Sequence, residues 1–402
     1  MERADVVVVG ASAAGLAATL AAARAGASVL LLEARDEVGV PEPPALVGFD
    51  FLWTFPERPT PAETRRRLLG LRVRSPADAA HALEVEAPLS VVRRAAFDQR
   101  LAAMARAAGA VVRTGVKGLR ALPDRTLRAA DGTEARGRVT IFADGAGSLA
   151  QAYLRPMRDP GRLAWGAALE FEHPGGDEER FLTLTPGAHA PGGRSQLNPL
   201  EGERWSHWTF YRGPREGAEA RARAALRLDA RARGWPEALA DAARFVGVAP
   251  DPVYTLPGKL AGDGVLVAGG AAGQAGLEVG LASGDLAGRV AAQAIFSGDA
   301  GARALGEYER QWMRAHLAGY KALRRAADRL ARLDDEAIDR LLAPWSGWRV
   351  PVRDVVGLWH RSPARRAEAL AKFVARNPHA LPLSVVAGWR ALVPLPRLTA
   401  ER

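Results

Sequence analysis

The 402-residue sequence contains no cysteine, and this one absence removes disulfides, thiolate zinc sites, iron–sulfur clusters and cysteine nucleophiles together. A reducing cytosol suits such a chain. No stretch is long and apolar enough to span a bilayer, and the first apolar run, Val6 to Val9, leads into a glycine turn instead of a cleavage site. The expected location is therefore the cytoplasm. The seven histidines, His81, His173, His189, His207, His316, His360 and His379, lack the close helical spacings of a metal site, so no metal is expected. Ser12 and Ser148 have no histidine or acid at a readable spacing, which lends no support to a hydrolase triad. No internal repeat or low-complexity linker is evident.

What is present is an ordinary globular balance, 48% hydrophobic and 6% aromatic, in a chain long enough for two or three packed domains. The formal charge of +10 is unevenly placed: Gly306 to Arg402 holds 18 Lys and Arg against 10 Asp and Glu, or +8 of the total. Such a basic surface suits an anionic membrane face or a phosphorylated substrate, while a high arginine content is equally a feature of overall composition. A nucleic-acid partner is not expected.

Asp5-Val-Val-Val-Val-Gly10 reads as a buried parallel strand, a short β-branched run that ends in a tight-turn residue. Ala13 to Ala25 follows as an alanine-rich helix able to lie close on a sheet, ended by Gly26. Ser28 to Leu32 is a second strand, and Glu33 stands at its end, 23 residues after Gly10, where a dinucleotide fold needs a carboxylate for the ribose hydroxyls. Gly10-Ala-Ser12-Ala-Ala-Gly15 keeps the first and third glycines of the dinucleotide fingerprint. Ser12 replaces the middle one, with a hydroxyl able to donate to a phosphate at the positive end of the helix.

Further along, the proline-rich stretch Val38 to Pro61 reads as an irregular connection, Arg93 to Ala108 as a helix, and Gly109 to Gly115 as a strand. Leu119 to Val139 reads as a small meander turning at Asp131-Gly132, and Val139 to Phe142 as a returning buried strand. Leu154 to Val248 changes to alternating strands such as Phe181-Leu-Thr-Leu and Trp205-Ser-His-Trp-Thr-Phe-Tyr, then a charged helix near Ala218 to Arg233. Gly264 to Ala268 returns to the buried-strand pattern, a helix runs from about Ser283 to Phe296, and the chain after Gly306 is helical. Trp205, His207 and Trp208 either line a pocket or belong to the core, since neighbours on a strand face opposite ways.

These segments resemble the geranylgeranyl reductase-like branch of the FAD-dependent oxidoreductases with the aromatic-hydroxylase fold. The resemblance covers most of residues 1 to 345. It rests on Asp5 to Glu33, Gly39-Val-Pro41, Arg94-Ala-Ala-Phe-Asp98, Ala143-Asp144-Gly145-Ala-Gly-Ser148, Gly262 to Gln274 and Tyr308-Glu-Arg-Gln-Trp312. The implied fold class is α/β: an FAD-binding Rossmann-type domain (1–60, 85–153 and 250–305), an interleaved α+β substrate domain (61–84 and 154–249) and a helical C-terminal region (306–402).

By this resemblance Gly10, Ser12, Ala13, Ala14, Gly15, Glu33 and Arg35 hold the adenosine and pyrophosphate of FAD, with Arg94, Val112, Asp144 and Gly145 at the same end. Gly269, Gly270 and Gly273 face the ribityl chain and flavin. The implied activity is reduction of carbon–carbon double bonds in an isoprenoid or other apolar substrate; a flavin monooxygenase and a non-catalytic nucleotide- or lipid-binding descendant are the alternatives. The absence of a second glycine fingerprint implies an external donor, NAD(P)H or a ferredoxin-like protein. No residue is singled out as the catalytic acid.

Four departures cluster at the flavin half. Gly270 stands where the family usually has an aspartate, and the 275–280 segment is several residues short, which predicts a displaced helix at the flavin. The family's cysteine after Gly-Val-Pro is absent, and Arg194 and Gln196 replace aromatics. Trp345, Trp348, Trp359 and Trp389 lie in the basic C-terminal region, beside an apolar run from Leu381 to Leu398 broken by prolines. They suit either a peripheral contact with the inner membrane face or packed helices capping the substrate domain.

Overall fold

The computed structural model describes residues 1–43, 46–175, 179–352, 368 and 371. Two sheets organise it. The first is built around strands whose C-terminal halves are buried on both faces: Val265–Val267, Glu134–Phe142, Glu2–Val9, Val29–Leu32 and the exposed edge strand Val111–Arg113 lie side by side in that order, every neighbouring pair parallel. Continuous β-branched and leucine runs are what a doubly covered parallel sheet requires, and Val6, Val7 and Val8 are wholly buried. Glu2–Val9 is central, with the chain crossing to Val29–Leu32 on one side and Glu134–Phe142 on the other. Its C-terminal edge is thus the topological switch point where such sheets bind ligands.

Two helices cover this sheet in close contact. Ala13–Arg24 packs on Leu277–Phe296, and small residues allow it. A Cβ on Gly284 would lie 2.0 Å from the Ala14 carbonyl oxygen, and one on Gly288 would lie 2.3 Å from that of Ala18. Gly284→Ala is therefore expected to destabilise the protein. Overpacking against backbone costs about 1–3 kcal/mol, which offsets and exceeds the roughly 1 kcal/mol gained by replacing a helical glycine with alanine. A raised midpoint in urea unfolding would contradict this.

The second sheet is mostly antiparallel and runs in the order Arg244–Asp251, Ala164–Glu172, Arg204–Tyr211, Arg194–Pro199, Phe181–Pro186, Thr64–Arg74, Ala82–Val92, Trp348–Pro351, with Leu46–Phe49 also paired to Ala82–Val92. Its membership redraws the expected boundaries. Leu46–Phe49 and the latter part of Ala82–Val92 come from stretches assigned to the nucleotide domain, and Trp348–Pro351 from the C-terminal region. The helix Ala218–Ala232 covers one face around Leu169, Leu197, Trp205, Tyr211, Ala222 and Leu226.

Ala302–Leu330 is a 29-residue helix whose Leu305, Tyr308, Trp312 and Tyr320 join the nucleotide-domain core. Trp345 and Trp348 stack edge to face at 5.3 Å and pack with Leu83 and Val350. These two tryptophans therefore pack at the edge of the second sheet. Trp359, Trp389 and the 381–398 run lie outside the described residues. Among the described residues, no helix is long and apolar enough to cross a membrane.

Candidate functional site

The first strand ends at the glycine turn. Gly10 adopts a φ of 93°, and its side-chain position is filled by the Ala143 carbonyl, 2.8 Å from where a Cβ would stand. A Cβ on Gly15 would lie 1.9 Å from the Gly10 carbonyl oxygen. Only glycine serves at either place, so strand, turn and helix can close tightly enough to present backbone N–H groups at the helix N-terminus.

Ser12 has a different task from the one its spacing suggests. Its hydroxyl donates to the Ala143 carbonyl at 2.8 Å and accepts from the Gly15 amide at 3.3 Å, so it is the helix N-cap and ties the turn to the end of the strand Glu134–Phe142. The hydrogen expected to reach a phosphate is spent within the protein.

Glu33 accepts from the Ala11 amide at 2.6 Å through Oε2 and from the Arg35 amide at 2.9 Å through Oε1. The carboxylate is thus fixed at the strand end, and each oxygen keeps lone-pair capacity for a hydroxyl. Arg35 is exposed beside it, and Val112 sits on the next strand, paired with Leu31. Arg94 is buried and forms a two-pronged pair with Asp98, at 2.9 and 3.3 Å.

Asp144 and Gly145 follow the strand Glu134–Phe142. Asp144 Oδ2 accepts from the Leu149 amide at 2.8 Å, while Oδ1 is buried without a partner among the described residues. Burial pushes its pKa up, against the pull of Ser148 and the Leu149 amide. Opposite lies Gly270, where a Cβ would meet nothing nearer than Gly145 Cα at 3.7 Å. The turn Gly269–Ala272 closes with Gly273 at φ 71°. It is locked from behind: the Gly269 amide donates to Gln274 Oε1 at 2.6 Å, Gln274 Nε2 donates to the Tyr308 hydroxyl at 3.1 Å, and that hydroxyl donates to the Val267 carbonyl at 2.9 Å. Tyr308, far along the chain, holds the shape of this turn.

The shortened 275–280 segment is itself taken into the following helix. Gly276, at φ 101°, turns the chain directly into Leu277–Phe296, six residues earlier than the sequence pattern suggests, and the Gly284 and Gly288 contacts seat it. Its first turn carries Glu278, a buried residue whose Oε1 accepts from the Phe49 amide. Burial pushes this carboxyl up towards its neutral form, with its own amide and that of Phe49 pulling the other way. The sequence pattern had not marked Glu278.

Two more groups escaped sequence reading. Asp229, on the Ala218–Ala232 helix, accepts from Ser195 at 2.6 Å, His207 at 2.8 Å, Arg74 at 3.1 Å and Thr185 at 3.2 Å. All are buried. His207 and Trp205 face this core, whereas Trp208 faces the opposite side and lines a cleft with Arg65, Arg93, Arg204 and Arg244. Arginine gives no periodic signal, so neither grouping is visible before the strands are paired.

The fold is a dinucleotide-binding domain joined to a substrate sheet, the architecture of a flavoprotein. The residues at the adenosine end fit FAD: a glycine turn too tight for any Cβ, an anchored carboxylate, and a buried carboxylate oxygen at Asp144 without a partner among the described residues. Residues 5–40 match the family described as FAD dependent oxidoreductase. The chain is 32% identical over 361 residues to digeranylgeranylglycerophospholipid reductase 1 of Methanopyrus kandleri, covering 84% of this chain and 94% of that protein. It is 31% identical over 326 residues to the protein of the same name from Methanothermobacter thermautotrophicus, covering 76% and 81%. A geranylgeranyl bacteriochlorophyll reductase-like protein from Thermoplasma acidophilum superposes with a TM-score of 0.71 at 19% identity, covering 96% of this chain and all of that one. The chain belongs to the geranylgeranyl reductase-like family of FAD-dependent oxidoreductases, enzymes whose cofactor is FAD.

Proposed function

We propose that this enzyme reduces carbon–carbon double bonds of an isoprenoid lipid. The observation that carries the reading is the dinucleotide cradle at the switch point of a parallel sheet in a chain otherwise similar, over most of its length, to reductases of geranylgeranyl lipids. Gly10, Ala13, Ala14 and Gly15 would approach the pyrophosphate and Glu33 the ribose, with Asp144 and Gly145 at the same end, and Gly269, Gly270 and Gly273 would face the ribityl chain and flavin. Reduced FAD supplies a hydride. The protein's part is orientation and exclusion of water, with the turn that Tyr308 and Gln274 lock held rigid for that purpose. Electrons come from an external donor, NAD(P)H or a ferredoxin-like protein, and the basic C-terminal region would rest against an anionic membrane surface where lipid substrates reside.

The freshly purified protein is expected to show two flavin absorbance bands, directly or after FAD is added, that bleach with dithionite. With reductant present, geranylgeranyl lipids should gain pairs of hydrogens by mass spectrometry. A protein that stays colourless at saturating FAD would favour a binding-only descendant; a yellow protein that leaves prenyl lipids unchanged would sink the substrate assignment alone.

A further inference from the structure

The cleft lined by Trp208 has a volume of about 500 Å³ and lies between the Pro41–Pro43 connection of the nucleotide domain and the second sheet. None of the Gly10–Gly15 turn, Asp144 or the Gly269–Gly273 turn lines it, so it adjoins the cofactor cradle and shares only Arg35 with the residues expected to hold FAD, while Pro41 belongs to the Gly39-Val-Pro41 motif. Five arginines from distant parts of the sequence converge on its walls: Arg35, Arg65, Arg93, Arg204 and Arg244.

Three carboxylates hold these arginines in place without neutralising them. Arg65 lies 2.8 Å from both Glu42 and Glu201, Arg204 3.1 Å from both Glu170 and Glu201, and Arg244 2.6 Å from Glu170. Arg93 reaches Glu201 only at 3.7 Å. Five positive charges against three negative ones leave the cleft with a surplus of two. Its donors are also incompletely satisfied: Arg65 Nε and Trp208 Nε1 are buried and have no hydrogen-bond partner among the described residues. Guanidinium groups held as a fixed fork match the paired oxygens of phosphate as they match those of a carboxylate, and a phosphate group offers three such oxygens to several forks at once.

We infer that this cleft is a binding site for a phosphate group. The inference rests on the reading of the enzyme as a prenyl-lipid reductase only for the source of that phosphate. A prenyl substrate with a phosphorylated head would place its charge among the arginines and its chain along the apolar side of Trp208, beside the Pro41 loop; the phosphates of a dinucleotide reductant such as NADPH carry the same chemistry.

The test is calorimetric binding to the purified full-length protein of geranylgeranyl phosphate, geranylgeraniol and NADPH, in the wild type and in Arg204→Gln/Arg244→Gln. Both substituted side chains are well exposed, at 41% and 66%, so folding should survive. Geranylgeranyl phosphate is expected to bind at least roughly tenfold more tightly than the alcohol, with the double variant erasing that preference and leaving the alcohol unaffected. If the variant instead weakens NADPH by a similar factor and not the prenyl phosphate, the cleft binds the phosphate of the reductant. A second variant guards against misfolding: Glu170→Gln removes a competing carboxylate from Arg204 and Arg244 and should tighten phosphate binding several-fold. Equal affinity of wild type for phosphate and alcohol, together with NADPH binding indifferent to the arginines, would overturn the inference. Because none of these measurements requires turnover, a colourless protein that still prefers the phosphate would sink the flavin reading and leave the cleft standing.

Discussion

Replacing Asp229 with alanine is expected to remove about 3–5 kcal/mol of stability, the usual cost of taking one partner out of a buried ionic group. The size follows from what is left behind. Arg74, whose side chain is only 7% exposed, loses its ion-pair partner, His207 loses its acceptor, and the hydroxyls of Ser195 and Thr185 lose theirs. Water has little access to any of them. Asp229→Asn should recover the volume but not the charge, and should remain well below wild type in guanidinium unfolding. A loss under about 1 kcal/mol would mean that solvent replaces the carboxylate, and that the group is not sealed.

The same residue sets an acid limit. Burial pushes the Asp229 carboxyl up, but the hydrogen bond and charge of His207, with Arg74 and Ser195, outweigh it and hold the pKa well below the usual carboxylate range. A carboxyl with a lower pKa when folded stabilises the protein above its unfolded value, and that contribution is lost as the pH falls. Wild-type stability should therefore drop steeply below about pH 4, and Asp229→Asn should flatten that part of the profile. Equal slopes for the two proteins would assign the acid transition to other carboxylates.

Gly270→Asp is expected to tighten FAD binding by about ten- to a hundredfold. The family usually carries an aspartate here, and a charge-assisted hydrogen bond contributes about 1.5–3 kcal/mol. The site accepts the change, since Gly270 is not in the left-handed region and its Cβ would meet ordinary contact at 3.7 Å. The new carboxylate would enter the open space beside Gly145. Titration of apoprotein with FAD, followed by flavin fluorescence, measures the gain. Unchanged affinity would show that the cofactor does not pass between Gly145 and Gly270.

Much of the nucleotide domain was legible in the sequence because its signals are local. A β-branched run, a glycine turn and an alanine helix each constrain three to twelve consecutive residues, and Glu33 follows at a spacing set by one βαβ unit. The second sheet was harder to read. Thr64–Arg74 and Ala82–Val92 are its longest strands, yet Thr-Arg-Arg-Arg-Leu-Leu-Gly-Leu-Arg-Val-Arg carries no clean alternation, because several arginines there are half-buried and satisfied by partners far away. Arg72 is paired with Glu84 and Glu179, and Arg74 with Asp229. A periodicity rule that counts arginine as outward-facing misses such strands.

The sequence by itself determined the class of the protein: a parallel dinucleotide-binding sheet, a chemistry free of thiols, and a glycine turn at Gly10 and Gly15 followed by Glu33 at the end of the next strand. Only the tertiary structure decided that Ser12 caps a helix, that Tyr308 locks the Gly269 turn, that the shortened segment opens its helix at Leu277, and that five arginines meet around one cleft. The physical reason is range. Backbone conformation at a glycine or a strand end is set by a few neighbouring residues, whereas hydrogen bonds and ion pairs between residues a hundred or more positions apart exist only once packing has brought their strands and helices together.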